Sequence, residues 1–285
     1  MEMKISAISN TRMIDFVFLL LFFFTNTFIS IAQDSLPNGR AFNFPANKYG
    51  ISIGNSREFN GIRFNFADKN VKKINGFNFT LWTENVKELF FWKNETTLNS
   101  SIVNGISIGI IPIARSMQPI NIGVLAIGTS PDNLNGITIS GILLGSTGNL
   151  NGISFSGLMT QVDAISGIAI SGLLVTGIGG INGLAISGLI ISSDTRNING
   201  MAICPGILFC GFNFRGVGIS GIYAQAESFE GLSIAAYAKT REMHGLSIGL
   251  FNKTNNLHGM QIGLLNYAGN NPKLLRLLPF FNLHF

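Results

Sequence analysis

One phrase recurs along most of the chain: a glycine, an aliphatic residue, a small residue, a second aliphatic residue and a second small one. It reads NGITIS at 135–140, HGLSIG at 244–249 and HGMQIG at 258–263. A repeat of this kind is typical of proteins in which each copy is one structural unit and buries its apolar face only by stacking on its neighbours. The phrase therefore predicts a stacked array.

The spacing of the copies indicates strands. The opening glycine can be followed at positions 50, 61, 76, 105, 123, 136, 152, 167, 183, 200, 216, 231, 245 and 259, with separations of 14 to 17 residues from 136 onward. Helical repeats need more than about thirty residues. Ile, Val, Phe and Thr at the repeat positions favour β-structure. We predict an all-β fold.

Two β-architectures share this period. In a parallel β-solenoid, here of about 14 short coils, each copy is one coil of a superhelix. In an up-and-down outer-membrane β-barrel, each copy is one strand and its turn, and neighbouring strands run antiparallel. The terminal alternation of Phe281, Leu283 and Phe285 resembles the closing strand of bacterial outer-membrane barrels and favours this alternative.

The parity of the apolar residues favours coils. Ile137 and Ile139 alternate, and after Ser140 and Gly141 the apolar residues continue with the opposite parity. Such a slip turns the apolar side chains to the other face unless the chain bends there. We expect a corner at Ser-Gly, with Ile137 and Ile139 facing the interior.

Proline and asparagine bear on the same choice. Pro205 and Pro279 lie near the expected corner, a position that accepts proline, whereas a central strand does not. Asparagines precede the opening glycine in several copies, and Asn252, Asn266 and Asn282 follow the strand. Stacked amides can bond along a ladder, but Asn-Gly is also a strong hairpin signal, so the asparagines leave both architectures open.

The chain divides into three parts. Residues 1–32 read as a signal peptide, with Lys4 and Arg12 before an apolar core from Phe16 to Phe24. Residues 33–49 are an N-terminal lead-in, and 50–285 form one β-repeat domain. A non-repeat insertion at about 80–103 interrupts it, where we predict a short amphipathic helix or a protruding loop. The mature chain is expected to be exported.

Composition and charge argue against one class of partner, nucleic acids. Charged residues make up 12% of the chain, and the net charge of +5 is not concentrated in a basic stripe interleaved with aromatic residues, so we expect no nucleic-acid partner. Cys204 and Cys210 lie six residues apart; export permits a disulfide between them, and two buried free thiols are the other interpretation.

No constellation in the sequence points to a reaction. Glu227 and Glu230 lie close together, as do Glu84 and Glu88, but nothing marks either pair as catalytic. In a solenoid His244 and His258 would stack, yet no acidic or cysteine partner repeats beside them, so we predict no metal site. We expect no catalytic residues, no cofactor and no enzymatic activity.

The two ends of the repeat region carry a resemblance. They read GISIGNSREFNGIRFNFADKNVKKINGFNFTLW at the front, and HGLSIGLFN and HGMQIGLLNYAGNNPKLLRLLPFFN at the back, with GIxISG copies between. Over residues 50–285 the chain resembles an uncharacterised family of bacterial surface repeat-containing proteins. The resemblance implies a place at the cell surface or outer membrane and transfers no catalytic residue. It is consistent with a structural or interaction role toward a protein or glycan partner, in association with the outer membrane or with another copy of the chain.

Overall fold

The structure, a computed structural model, describes residues 41–46, 48–83, 101–129 and 132–285. The predicted signal peptide and the helix or loop predicted in the insertion, over 84–100, lie outside the described residues. Within them, residues 80–83 continue one strand and a new strand begins at Ile102.

Strands make up almost all of the described chain. The first nine are β1 Phe42–Ala46, β2 Tyr49–Ile53, β3 Glu58–Asp68, β4 Lys73–Thr83, β5 Ile102–Gly109, β6 Ile113–Ala114, β7 Ser116–Gly123, β8 Ala126–Thr129 and β9 Leu134–Ser140. The next nine are β10 Leu143–Ser146, β11 Leu150–Ser156, β12 Met159–Val162, β13 Ile165–Ser171, β14 Leu174–Gly177, β15 Ile181–Ser187, β16 Ile190–Ser193, β17 Ile198–Cys204 and β18 Ile207–Cys210. The last are β19 Asn213–Ser220, β20 Tyr223–Ile234, β21 Tyr237–Ile248, β22 Phe251–Ala268, a 3-10 turn at Lys273–Leu275, and β23 Leu277–His284.

The strands form a parallel β-solenoid of about thirteen turns. In the central coils a long strand alternates with a short one, and each pairs in parallel with its equivalent in the next coil. Gly152 in β11 pairs with Gly136 in β9 and with Gly167 in β13. The solenoid prediction is confirmed. The up-and-down alternative is wrong, because it requires consecutive copies to run antiparallel.

The predicted corner lies between the long strand and the short one. β9 ends at Ser140 and β10 begins at Leu143, so Gly141 and Ile142 make the bend. Pro205 occupies the same bend between β17 and β18. Because proline cannot donate a ladder hydrogen bond, the corner is where a coil accepts it.

The opening glycines stack in one column, the glycine column, with positive φ between +91° and +139°. A Cβ on Gly152 would lie 2.2 Å from the carbonyl oxygen of Gly136, and one on Gly167 would lie 2.1 Å from that of Gly152. At these levels only glycine satisfies both conditions, since other residues rarely adopt this φ and their Cβ would overlap the coil below.

One member of the predicted column is different. Gly123 pairs with Gly109 and Ser140 beside the corner, and Pro119 pairs with Gly105 in the glycine column. Assigning Gly123 to the column was therefore wrong. In this coil Pro119 fills the level of the glycine column, so the sequence has no glycine there.

The interior is filled by a different set of residues from the one predicted. From Phe59 onward, the residue two places before each glycine of the column, or before Pro119 at its level, forms a core column in which no member is more than 4% exposed. The column consists of Phe59, Ile74, Val103, Met117, Leu134, Leu150, Ile165, Ile181, Ile198, Phe214, Phe229, Met243 and Leu257. Leu144 and Val175, on the short strands, are also fully buried.

The two aliphatic residues after the glycine point outward, so the expectation that Ile137 and Ile139 face the interior is wrong. Thr138 and Ser140 between and after them are buried. The reason lies at the corner, where the hydroxyl of Ser140 donates to the carbonyl oxygen of Leu143 at 2.6 Å. The long and short strands converge there, and only a small inward side chain fits between them.

The ends of the solenoid reverse the strand direction. β1 pairs antiparallel with β2, and β23 pairs antiparallel with β22. Pro279 lies in β23 where the register with β22 shifts between Gly263 and Asn266. It therefore lies beside the last corner, as expected, but in an antiparallel strand that does not repeat the coil.

The glycine column generates a stability prediction on one strand. Gly216 has φ +126° and a Cβ there would lie 2.0 Å from the carbonyl oxygen of Gly200, whereas a Cβ on Gly218 meets only the ends of the Leu208 and Phe229 side chains. We expect Gly216→Ala to destabilise the fold by about 2–4 kcal/mol, and Gly218→Ala to have a much smaller effect. Urea denaturation followed by circular dichroism measures both, and equal losses would contradict a specific need for glycine at 216.

Candidate interaction surface

The outward apolar side chains, which are aliphatic except for four phenylalanines, form two continuous columns. One follows the glycine column by one residue and consists of Ile51, Ile62, Phe77, Ile106, Ile120, Ile137, Ile153, Ile168, Leu184, Met201, Val217, Leu232, Leu246 and Met260. The other follows it by three and consists of Ile53, Phe64, Phe79, Ile108, Ile122, Ile139, Phe155, Ile170, Ile186, Ile203, Ile219, Ile234, Ile248 and Ile262. We call the two columns together the apolar face.

All side chains of the apolar face are exposed or half-buried. Ile137 and Ile139 are each 42% exposed, close to the 43% of Phe155 in the next coil. The face carries no charged or polar side chain at any of its fourteen levels. Isolated exposed aliphatics are ordinary on a protein surface, but a contiguous set of this extent indicates an interaction site.

A third set of aliphatic residues extends the apolar surface to the corner. This corner column consists of Ile142, Leu158, Leu173, Leu189, Ile222 and Leu250. Leu173 is 42% exposed and Ile222 is 62% exposed. By contrast, the short strands β10, β14 and β16 are buried throughout. In these central coils the long strands and their corners therefore provide the apolar surface, whereas Ile207, Tyr237 and Phe251 are exposed at the short-strand position of later coils.

A polar column borders the other side of the apolar face. It is formed by the residue before each glycine, and side-chain amides bond from coil to coil along it, as the ladder interpretation of the asparagines predicted. Asn104 donates to Asn75 at 3.0 Å, Asn151 to Asn135 at 2.9 Å and Asn199 to Asn182 at 2.8 Å. The amides satisfy one another, so the edge is polar without being charged.

The same polar column changes character toward the C-terminal coils. Arg215 pairs with Glu230 at 2.9 Å. His244 then lies on His258 with ring centroids 4.7 Å apart, which confirms the predicted stacking, and His258 meets His284 edge-on at 6.1 Å. Within the described residues, no group of three or more His, Cys, Asp or Glu side chains is arranged to hold a metal ion.

The interior holds polar networks at both ends. Arg63 is fully buried, and its guanidinium donates to Asp68 at 2.7 Å, Asn78 at 2.7 Å and Asn55 at 3.0 Å. At the other end Asn252 donates to Asn266 at 2.8 Å inside the last coils. Apart from the Nε of Arg63, which has no partner among the described residues, these buried groups are bonded to other protein groups and link the strands of the end coils.

Glu227 and Glu230, singled out in the sequence, each pair with an arginine. Glu230 is bound to Arg215, and Glu227 is paired with Arg241 on the neighbouring coil. Each carboxylate is thus neutralised by its own arginine at an exposed position. Glu84 and Glu88 lie outside the described residues.

The two cysteines are free and buried. Cys204 ends β17 at the corner, whereas the thiol of Cys210 lies 3.4 Å from the carbonyl oxygen of Asn213. Of the two interpretations of the sequence, the structure therefore has the free thiols. Burial raises the pKa of the Cys204 thiol to about 11 and also raises that of Cys210, so both remain un-ionised at neutral pH and lack nucleophilic reactivity.

The sequence contained a signal for the apolar face. Leu134 and Ile137 in one strand have opposite parity, so they cannot both face the interior of a single strand. The two aliphatic residues after the glycine, Ile137 and Ile139, are the predicted core. The buried position is instead that of the single aliphatic residue two places before the glycine, Leu134.

No known protein family, curated protein sequence or solved structure matches this chain. In the part of the chain that the structure describes, no helix is both long and apolar enough to cross a membrane.

The division between core and apolar face can be tested with one type of substitution on β13. Ile165 is fully buried, whereas Ile168 lies half-buried on the apolar face. We expect Ile165→Ala to cost about 2–5 kcal/mol and Ile168→Ala about 1 kcal/mol or less. Denaturation midpoints of the two variants report the difference, and a larger loss for Ile168→Ala would reverse the assignment of the two sides.

Proposed function

We propose that this protein is a non-catalytic structural or interaction protein of the bacterial envelope or cell surface and that it acts through the apolar face. The observation that carries the proposal is the uninterrupted pair of outward aliphatic columns. Ordinary monomeric proteins rarely expose contiguous apolar patches of more than a few hundred square ångströms. A face of this length, bordered by a polar column, has the division into apolar centre and polar rim that protein interfaces show.

The chemistry of the face favours a protein partner over a glycan. A glycan presents mainly hydroxyl groups, which lose water when they bind and need hydrogen-bond partners in return. Ile153, Phe155 and their equivalents offer none. Aliphatic side chains of another protein would gain from burial against them. The absence of charge along the face likewise gives a nucleic-acid backbone nothing to bind.

The proposed location rests on the sequence. The positive residues before the apolar core of 1–32 are typical of a secretory signal, and the resemblance of 50–285 is to bacterial surface proteins. We propose that the chain acts outside the cytoplasm without a cofactor. The outer-membrane barrel is not retained as an alternative, because its antiparallel topology is not that of the chain.

The interaction role predicts site-specific contacts in the cell. A photo-reactive phenylalanine analogue, placed at Phe155 on the apolar face, is expected to give one discrete cross-linked species in intact cells. The matched control is Phe212, which is 51% exposed against 43% for Phe155 but lies at the opposite turn of its coil. Electrophoresis and mass spectrometry identify the species. The absence of an adduct at Phe155, or an equal one at Phe212, would refute an interaction through the apolar face.

Export makes a separate prediction. The protein isolated from its host is expected to begin at residue 33, and protease added to intact cells is expected to cleave it. Leu20→Arg should leave an uncleaved, protected precursor, because a charge within the apolar core blocks signal function, whereas Leu20→Met should behave like the natural protein. Mass spectrometry of the N-terminal peptide shows whether the chain begins at residue 33 or at Met1. A natural protein that retains Met1 and resists the protease would refute export.

A further inference from the structure

We propose that the apolar face binds the same face of a second copy of the chain, giving an antiparallel dimer with two-fold symmetry. This inference rests on the proposed function, because it identifies the partner of the face already described. Three properties of the face support it: its area, its repeat distance and the distribution of polar groups along its edge.

The area matches that of a stable dimer. Neighbouring strands lie about 4.8 Å apart, so fourteen levels span about 60 Å, and a strand rises about 3.3 Å per residue, so the two columns lie about 7 Å apart and cover about 400 Å². The corner column adds about 10 Å of width at its six levels, or about 300 Å². Two copies would then bury about 1,400 Å², which lies within the range of a standard specific interface.

The repeat distance favours a second copy over other partners. Side chains on the face recur at the strand spacing from one end to the other, as Ile137, Ile153 and Ile168 do in successive coils. A partner that packs ridge against groove along the whole length must have the same spacing. A second copy has it by identity, and two such sheets would pack at about 10 Å.

A lipid surface fits the face less well. Segments that lie in a bilayer interface carry lysine or arginine beside the apolar part and often tryptophan within it. The two columns of the apolar face contain neither basic residues nor tryptophan. The bordering column in the N-terminal half consists largely of neutral amides, such as Asn75, Asn104 and Asn151.

The polar column sets the orientation. If the two copies run antiparallel, polar column meets polar column, and corner leucines such as Leu173 meet corner leucines. The level of Arg215 then lies opposite that of Asn104, and the level of Glu230 opposite that of Asn75. A parallel arrangement would place amides against the corner leucines and leave them without hydrogen-bond partners, which is unfavourable.

Antiparallel pairing also fixes the contacts at the centre. Gly152 and Gly167 mark the seventh and eighth of the fourteen levels, so Ile153 of one copy faces Ile168 of the other. In a parallel dimer the two columns exchange places, so Ile168 of one copy would face Ile170 of the other. Charge substitutions at these positions can therefore distinguish the two orientations.

The test uses the purified mature chain, residues 33–285, in analytical ultracentrifugation at micromolar concentration without lipid. We expect a mass of two copies. Ile168→Lys should raise the dissociation constant about 100-fold or more, because it buries an unpaired charge in the interface. Phe212→Lys, an exposed substitution outside the face, should remain dimeric, and circular dichroism checks that both variants are folded.

A charge-swap experiment tests the register. Ile153→Glu alone should also be monomeric, and mixing it with Ile168→Lys should restore a dimer because the two new charges face each other. Restoration only by a mixture of Ile168→Lys with Ile170→Glu would overturn the antiparallel orientation. A monomeric natural chain, or a dimer that Ile168→Lys leaves intact, would overturn the proposal.

The remaining outcomes separate this inference from the proposed function. A natural chain that is monomeric but floats with vesicles of phosphatidylcholine and phosphatidylglycerol, while Ile168→Lys does not, would assign the face to lipid and overturn the dimer. An adduct of Phe155 with a different protein would also overturn the dimer, but it would support the interaction role. The absence of any adduct at Phe155 would refute both the dimer and the interaction role.

Discussion

The close contact between stacked glycines governs the arrangement of the whole domain. At this position the carbonyl oxygen of one coil occupies the place that a Cβ of the next would need, 2.1 Å away at Gly167. Glycine fills this position at every level of the column except that of Pro119, and the coils keep one register relative to their neighbours. The glycine column thereby aligns the core column, the polar column and the two columns of the apolar face from one coil to the next.

The tapered interior of the coil explains why its aliphatic residues lie on both sides. Near the corner the long and short strands approach closely enough for Ser187 to donate to the carbonyl oxygen of Ile190 at 2.7 Å. On the long strand, large inward side chains lie away from the corner, as Leu150 and Ile165 do. The hydrophobic effect accounts for the core column, but the outward columns stay partly exposed and gain less from folding alone. Their regular apolar character therefore requires an explanation outside the single coil.

The solenoid could be predicted from the sequence because the repeat, the corner and the amide ladder are each marked by local residue patterns. Ser140 and Gly141 mark a bend wherever they recur, and Pro205 is tolerated only at such a bend. The parity of Leu134 and Ile137 shows that they lie on opposite sides of the strand, but it does not show which of them faces the interior. That depends on how close the opposite strand comes. Pro119 shows a further limit, since a backbone level can be filled by a residue that the repeat pattern does not contain.

The reversed strands at the ends give this array a property that a uniform parallel ladder lacks. A parallel coil offers its next neighbour a hydrogen-bonding edge like its own, and identical coils can add to it without limit. β1 and β23 present an edge of the opposite polarity, and in β23 Pro279 removes a donor from the row. Addition of another copy at either end would have to start against a mismatched edge. The described coils are thus protected from fibre growth along their axis, and the broad sides are left as the direction in which copies can associate.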